Sequence, residues 1–145
     1  MDFAYAVAVA ARAYGAQRDV SGRLLLGQAL DVAQALPSDA TDTAMNAAVL
    51  YAIPQVTHWT ADHLVGVGVD PVVCEVVDLL TQKSGEPYMD FVRRICAAPG
   101  HAGETARLVL VADLRIGIVR TDSDVLRKRY ESSLPLVRDA LAVVG

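Results

Sequence analysis

Residues 103–120, GETARLVLVADLRIGIVR, decide the fold. Leu108, Val109, Leu110, Val111, Ala112, Leu114, Ile116, Ile118 and Val119 leave this stretch almost no polar side. The apolar residues do not alternate with period two, so the segment does not read as a strand. A helix apolar nearly all round belongs in the middle of a bundle, where other helices cover every face. Asp113 lies inside that run. A carboxylate in such surroundings must be paired, hydrogen-bonded or protonated, because an unpaired buried charge is expensive.

Outward from this segment the punctuation is helical throughout. Residues 2–17 predict an Ala-rich helix and residues 24–36 another, stopped at Pro37. Ser38-Asp39 offers a cap for a helix running to about Ile53, where Pro54 ends it by disfavouring helical geometry in the residue before it. Thr60 can cap a short helix ending near Gly66 or Gly68. Asp70-Pro71, a cap followed by proline at the first helical position, opens a helix over Val72–Gln82. Tyr88–Ala98 follows the turn Ser84-Gly85-Glu86-Pro87, and Asp124–Val143 is the last helix, with a bend expected at Pro135. Hairpin dipeptides are lacking. The chain reads as an all-α bundle of seven or eight helices, one domain over residues 1–145.

Composition excludes several classes of function. Hydrophobic residues make up 53% of the 145, which implies a large core or an apolar partner surface, including a homodimer through a Val/Ala-rich helix face. No stretch approaches the ~20 uninterrupted apolar residues of a membrane span. A net charge of −4 with no basic block argues against nucleic acid as partner. Arg127-Lys128-Arg129 is flanked by Asp124 and Glu131 and reads as a solvated helix face. Met1-Asp2-Phe3 carries an acid where a secretory signal would be positive. Cys74 and Cys96 lack C-x-x-C spacing and read as packing thiols, with a disulfide as the alternative; a reducing, cytoplasmic location is expected.

The order of segments resembles the HD-domain phosphohydrolases, specifically the small stand-alone relatives of the (p)ppGpp hydrolase domain. The resemblance rests on Gln17 and Ser21-Gly22 after the first helix, on Ala47-Ala48-Val49-Leu50, and on Thr57. It continues through Val76-Val77-Asp78-Leu79-Leu80-Thr81, Tyr88-Met89-Asp90-Phe91-Val92-Arg93-Arg94-Ile95, Val111-Ala112-Asp113-Leu114-Arg115 and Arg129-Tyr130. It implies a metal held by two histidines, a histidine-adjacent aspartate and a distant aspartate. Such an ion lowers the pKa of a bound water so that it can attack phosphate. At the matching positions this sequence has Gln28 for the first histidine, Tyr51-Ala52 for the His-Asp pair, and Gln55-Val56 for the supporting acidic pair. Asp113 alone survives of the four ligands, and one carboxylate does not hold a transition metal. The family's basic pair is Asp19-Val20, and its asparagine after the core aspartate is Gly117, so a guanosine polyphosphate is not the expected ligand.

Mapped onto the family's cavity, Tyr14, Gln28, Tyr51, Gln55 and Asp113 fall around one pocket. They are the candidate ligand-binding residues, or the members of a hydrogen-bond network that plugs a vacated site. His58, Asp62 and His63 form the one local histidine/acid cluster, and a helix-start role outweighs a displaced metal site for it. Trp59 reads as a packing anchor, and His101, after Pro99-Gly100, as a loop residue. Gly66-Val67-Gly68 lacks the third glycine and the preceding strand of a phosphate cradle. No metal and no cofactor are expected. The leading expectation is a catalytically degenerate HD-like domain that binds a small molecule or a protein partner. The alternative is a metal-independent enzyme in which Tyr51 and Asp113 transfer protons and Gln28 or Gln55 orients the substrate.

Overall fold

The apolar run becomes the axis of the molecule. A computed structural model of the protein describes residues 1–142, and Val143, the expected end of the last helix, lies outside them. The described residues form α1 (Phe3–Tyr14), α2 (Leu25–Gln34), α3 (Asp42–Leu50), α4 (Ile53–Val56) and α5 (Ala61–Gly66). They continue with α6 (Pro71–Leu79), α7 (Tyr88–Ala97), α8 (Gly100–Arg120) and α9 (Asp124–Ala142). No strand occurs among them beyond an isolated bridge between Arg18 and Leu24. No helix among them is long and apolar enough to cross a membrane.

Helix α8 packs against α2, α3, α6, α7 and α9, which covers most of its apolar residues and leaves Val119, near its end, exposed. Helix α3, small-residue-rich at Ala44, Ala47 and Ala48, lies against α1, α2, α6 and α8. Its Ala47–Leu50 segment is wholly buried, and its end presents Tyr51 to α8. Pro135 sits inside α9 without terminating it.

Several local expectations change, each for a physical reason. Thr41, rather than Ser38-Asp39, caps α3 through its side-chain oxygen. Pro54 opens the one-turn helix α4 as well as closing the preceding one, because its missing N–H costs nothing in a first turn. This adds one short helix to the expected set. Asp70 makes no side-chain cap and instead meets the amino terminus of Met1 at 3.4 Å. Helix α8 begins a turn early, placing His101 in its first turn rather than in a loop.

The early start of α8 rests on two residues. Gly103 lies so close to the Ala98 carbonyl that a Cβ would overlap it. Buried Arg107 reaches back with one nitrogen to the carbonyls of Ile95, Cys96 and Ala98, at 3.1, 3.3 and 2.7 Å. Those include carbonyls of the last turn of α7, of which Ile95 also accepts the Ala98 N–H at 3.3 Å.

Candidate functional site

Asp113, Ile116, Gly117 and Arg120 share one face of α8, at the i, i+3, i+4 and i+7 spacing of a helix. That face forms one wall of a cleft of about 490 Å³. Helix α2 supplies Gln28, Ala29 and Val32 opposite, α1 ends in it with Tyr14, and Tyr51 and Ala52 close the floor. Tyr130 of α9 completes it. Its ring lies against Gly117, where a Cβ would come within 3.0 Å of Cε2. Glycine at 117 therefore makes room for a tyrosine ring in the place where the resembling family has an asparagine.

Four of the five expected residues, Tyr14, Gln28, Tyr51 and Asp113, line this cleft. Gln55 does not. Its side-chain oxygen accepts the backbone N–H of Gln82 at 3.0 Å, so it ties α4 to the end of α6. The short helix opened by Pro54 turns Gln55 away while leaving Val56 at the mouth.

The floor is built around one bond. The Tyr51 hydroxyl donates to Asp113 Oδ1 at 2.6 Å, a length typical of a charge-assisted O–H···O bond. Burial pushes the Tyr51 phenol well above its ordinary pKa, and the neighbouring Asp113 charge pushes it further. Burial also raises the Asp113 carboxyl, against which the Tyr51 hydrogen bond works. Tyr51 is thus a fixed donor and Asp113 its acceptor. Tyr14 is 1% exposed and its hydroxyl has no hydrogen-bond partner among the described residues. Its pKa is driven up by burial; the Ala52 backbone offsets part of that without closing a hydrogen bond. A buried hydroxyl left in this way is uncommon in folded proteins.

Asp19 explains how Gln28 is held. Its Oδ1 accepts from the Ser21 N–H (2.9 Å), the Ser21 hydroxyl (2.7 Å) and the Arg23 N–H (3.0 Å). Its Oδ2 accepts the Gln28 side-chain amide. Those donors, the Ser21 hydroxyl foremost, hold the Asp19 carboxyl below its ordinary pKa. The turn closes at Gly22, whose φ of +89° suits glycine. Asp19, standing where the resembling family has a basic residue, is the staple of the loop that forms the rim.

Asp19, Ser21, Arg23, Arg120, Asp122 and Tyr130 were not foreseen as lining residues. The helical spacing from Asp113 would have found Arg120, and Ser21 and Tyr130 already belonged to the matched segments. Arg23 and Asp122 carry no sequence signal, since loop geometry alone brings them to the mouth.

The remaining candidates have structural work. His63 Nδ1 accepts the Thr60 N–H at 2.9 Å while Thr60 caps α5, a reciprocal capping box. Trp59 lies between Arg12, 5.8 Å from its ring centre, and His63. Cys74 and Cys96 are free thiols. Arg127-Lys128-Arg129 is not simply a solvated face. Arg127 donates to the Ile118 and Thr121 carbonyls at the end of α8, and Arg129 stacks 4.9 Å over Tyr88.

The metal of the resembling family finds no fit in these residues. Among the described residues no group of three or more His, Cys, Asp or Glu is placed to hold an ion. Asp113 has one oxygen engaged by a phenol, and the Gln28 amide is committed to Asp19.

Neither the protein-family profiles nor the curated proteins contain a match to this chain. A solved structure does match: a metazoan ortholog of SpoT, described as hydrolysing ppGpp and playing a role in starvation responses. The likeness has a TM-score of 0.72 at 18% identity and covers 96% of this chain and 84% of that one. The chain has the HD-domain fold of that hydrolase. At this identity the shared feature is the backbone arrangement, and function depends on the site residues themselves.

Proposed function

We propose that this HD-fold chain is a metal-independent binding module that takes a small molecule in the cleft between α2 and α8. The carrying observation is the Tyr51–Asp113 bond at the floor of that cleft. A cavity that had merely lost its metal would be expected to fill with small apolar residues, as Ala52 did. Here a hydrogen-bonded phenol and carboxylate stand beside the unpartnered Tyr14 hydroxyl, the polar floor under apolar walls that binding pockets commonly have. Metal-free acid–base catalysis at the same pair is the second reading. The raised pKa of Tyr51 bears against it, because a phenol that keeps its proton donates hydrogen bonds and abstracts nothing near neutral pH.

The test pairs stability with binding in Tyr51→Phe and Asp113→Asn. Tyr51→Phe leaves Asp113 without its donor and is expected to destabilise by about 1–3 kcal/mol. Asp113→Asn keeps an acceptor for Tyr51 and removes a charge that burial disfavours, so it is expected to be more stable than wild type at pH 7. The pH dependence has a definite sign. A carboxyl whose folded pKa is raised binds protons more readily in the folded state, so wild type gains on the Asn variant as pH falls through that pKa. The gain is complete below the unfolded value of 3.8. The groups around Asp113 are the phenols of Tyr51, Tyr88 and Tyr130, with Tyr14 beside Tyr51. They stay protonated through that acid range.

Binding is read by amide chemical shifts on titration with benzylamine, benzyl alcohol and phenylacetate. At least one probe is expected to give saturable shifts at Gln28, Tyr51 and Asp113, weakened in both variants. No saturable shift with any of the three, or unchanged binding in both variants, would defeat the reading.

A further inference from the structure

The charge at the floor of the cleft has no counter-charge. Among the described residues Tyr51 is the one hydrogen-bond partner of Asp113, and no lysine, arginine, histidine or amino terminus forms an ion pair with it. A carboxylate in this position is costly unless something positive or strongly donating meets it. Three tyrosine rings, Tyr14, Tyr51 and Tyr130, line the same cleft. Aromatic faces carry negative potential and attract ammonium groups, most strongly where water is excluded. The buried, unpartnered Tyr14 hydroxyl adds a polar atom there that the protein leaves open.

The rim points the same way. Three aspartates, Asp19, Asp113 and Asp122, line the cleft against two arginines, Arg23 and Arg120. Of the arginines, Arg120 is already paired with Asp31 at 2.8 Å. An anionic ligand would face this acidic excess, whereas a cation would complete it. Leu25, Ala29, Val32 and Ile116 give the cleft an apolar side, so the ligand needs an apolar body as well as a charge.

Resting on the binding reading above, we propose that the cleft recognises an organic ammonium ion carried on an apolar body. Its charge sits between Asp113 and the phenols of Tyr14, Tyr51 and Tyr130. A bare metal ion requires several anionic or imidazole ligands at short range, but an alkylammonium is satisfied by one carboxylate and aromatic walls.

The three probes of the preceding section separate the two claims, since they share a benzyl group and differ in charge. Benzylamine, protonated at pH 7, is expected to bind at least about tenfold more tightly than benzyl alcohol, and phenylacetate is expected to give no saturable shifts at the cleft. Benzyltrimethylammonium should bind as a cation too, because the aromatic contribution needs no N–H. Asp113→Asn should lower affinity for both cations by about tenfold or more and lower that for benzyl alcohol by clearly less. Tyr130→Leu, at a half-buried ring, should weaken benzyltrimethylammonium without altering the fold. Equal affinity for benzylamine and benzyl alcohol, preference for phenylacetate, or cation affinity indifferent to Asp113→Asn would overturn the cation assignment while leaving the cleft a binding site. Absence of binding by all probes would overturn both.

Discussion

Replacing Gly103 with alanine is expected to lower stability by about 3 kcal/mol, at the upper end of overpacking effects. Alanine is ordinarily the better helix former, by up to about 1 kcal/mol, so the expected sign runs against intrinsic propensity. The cause is contact. A Cβ at 103 would fall inside the carbonyl oxygen and carbon of Ala98 and within 3.0 Å of the Ala98 Cβ. Backbone atoms cannot rotate aside as a flexible side chain can, so α8 would have to lift from the exit of α7. Thermal unfolding should show a fall in Tm of about 10 °C for a chain of this size. A Tm equal to or above wild type would mean that α7 and α8 do not meet as closely as described.

Arg107→Met should be comparably damaging, at about 3 kcal/mol. The buried guanidinium serves the carbonyls of Ile95, Cys96 and Ala98 from a single nitrogen, and methionine would fill the volume while removing that donor from all three. A cation is also favourable against the C-terminal end of α7. Because one nitrogen makes all three contacts, the three N–H donors of a lysine ammonium can serve the same acceptors. Arg107→Lys is therefore expected to recover more than half of the loss in denaturant unfolding. No recovery would show that the planar shape of arginine, rather than its charge and donors, holds the junction. Gly103 and Arg107 both act on Ala98, so combining Gly103→Ala with Arg107→Met should cost less than the two separately.

This junction matters to the cleft because α8 is its wall. Asp113, Ile116, Gly117 and Arg120 enter the site by helical register alone once the start of α8 is fixed. At its far end α8 is held by Arg127, which donates to the Ile118 and Thr121 carbonyls. The wall is thus clamped at both ends.

Much of this was legible in the sequence. Apolar residues on nearly every side of 103–120 required a central helix, and Asp113 among them had to be paired, hydrogen-bonded or protonated. The order of segments matched to the HD-domain family placed Tyr51 and Asp113 around one pocket, but the bond between them came only with the structure. Local punctuation was less readable. Pro54 both ends and begins a helix, and its second role turned Gln55 out of the site. The role of Asp19 in the loop was not readable, because sequence shows its charge but not the backbone N–H groups that a tight turn aims at it. The start of α8 was obscured for a related reason. Gly103 and Arg107 act on carbonyls of another helix, a contact that helical periodicity within one segment cannot register.

The floor of the cleft is a phenol–carboxylate pair, and Mn²⁺ titration followed by amide paramagnetic broadening most directly tests the proposal that it works without a metal. Ions of this kind need several oxygen or imidazole ligands together, and here Asp113 stands with neutral Tyr51 and Gln28. The expected result is weak, non-saturating broadening spread over surface aspartates, with no centre at Asp113. Saturable broadening centred on Gln28, Tyr51 and Asp113, at one ion per chain, would contradict it.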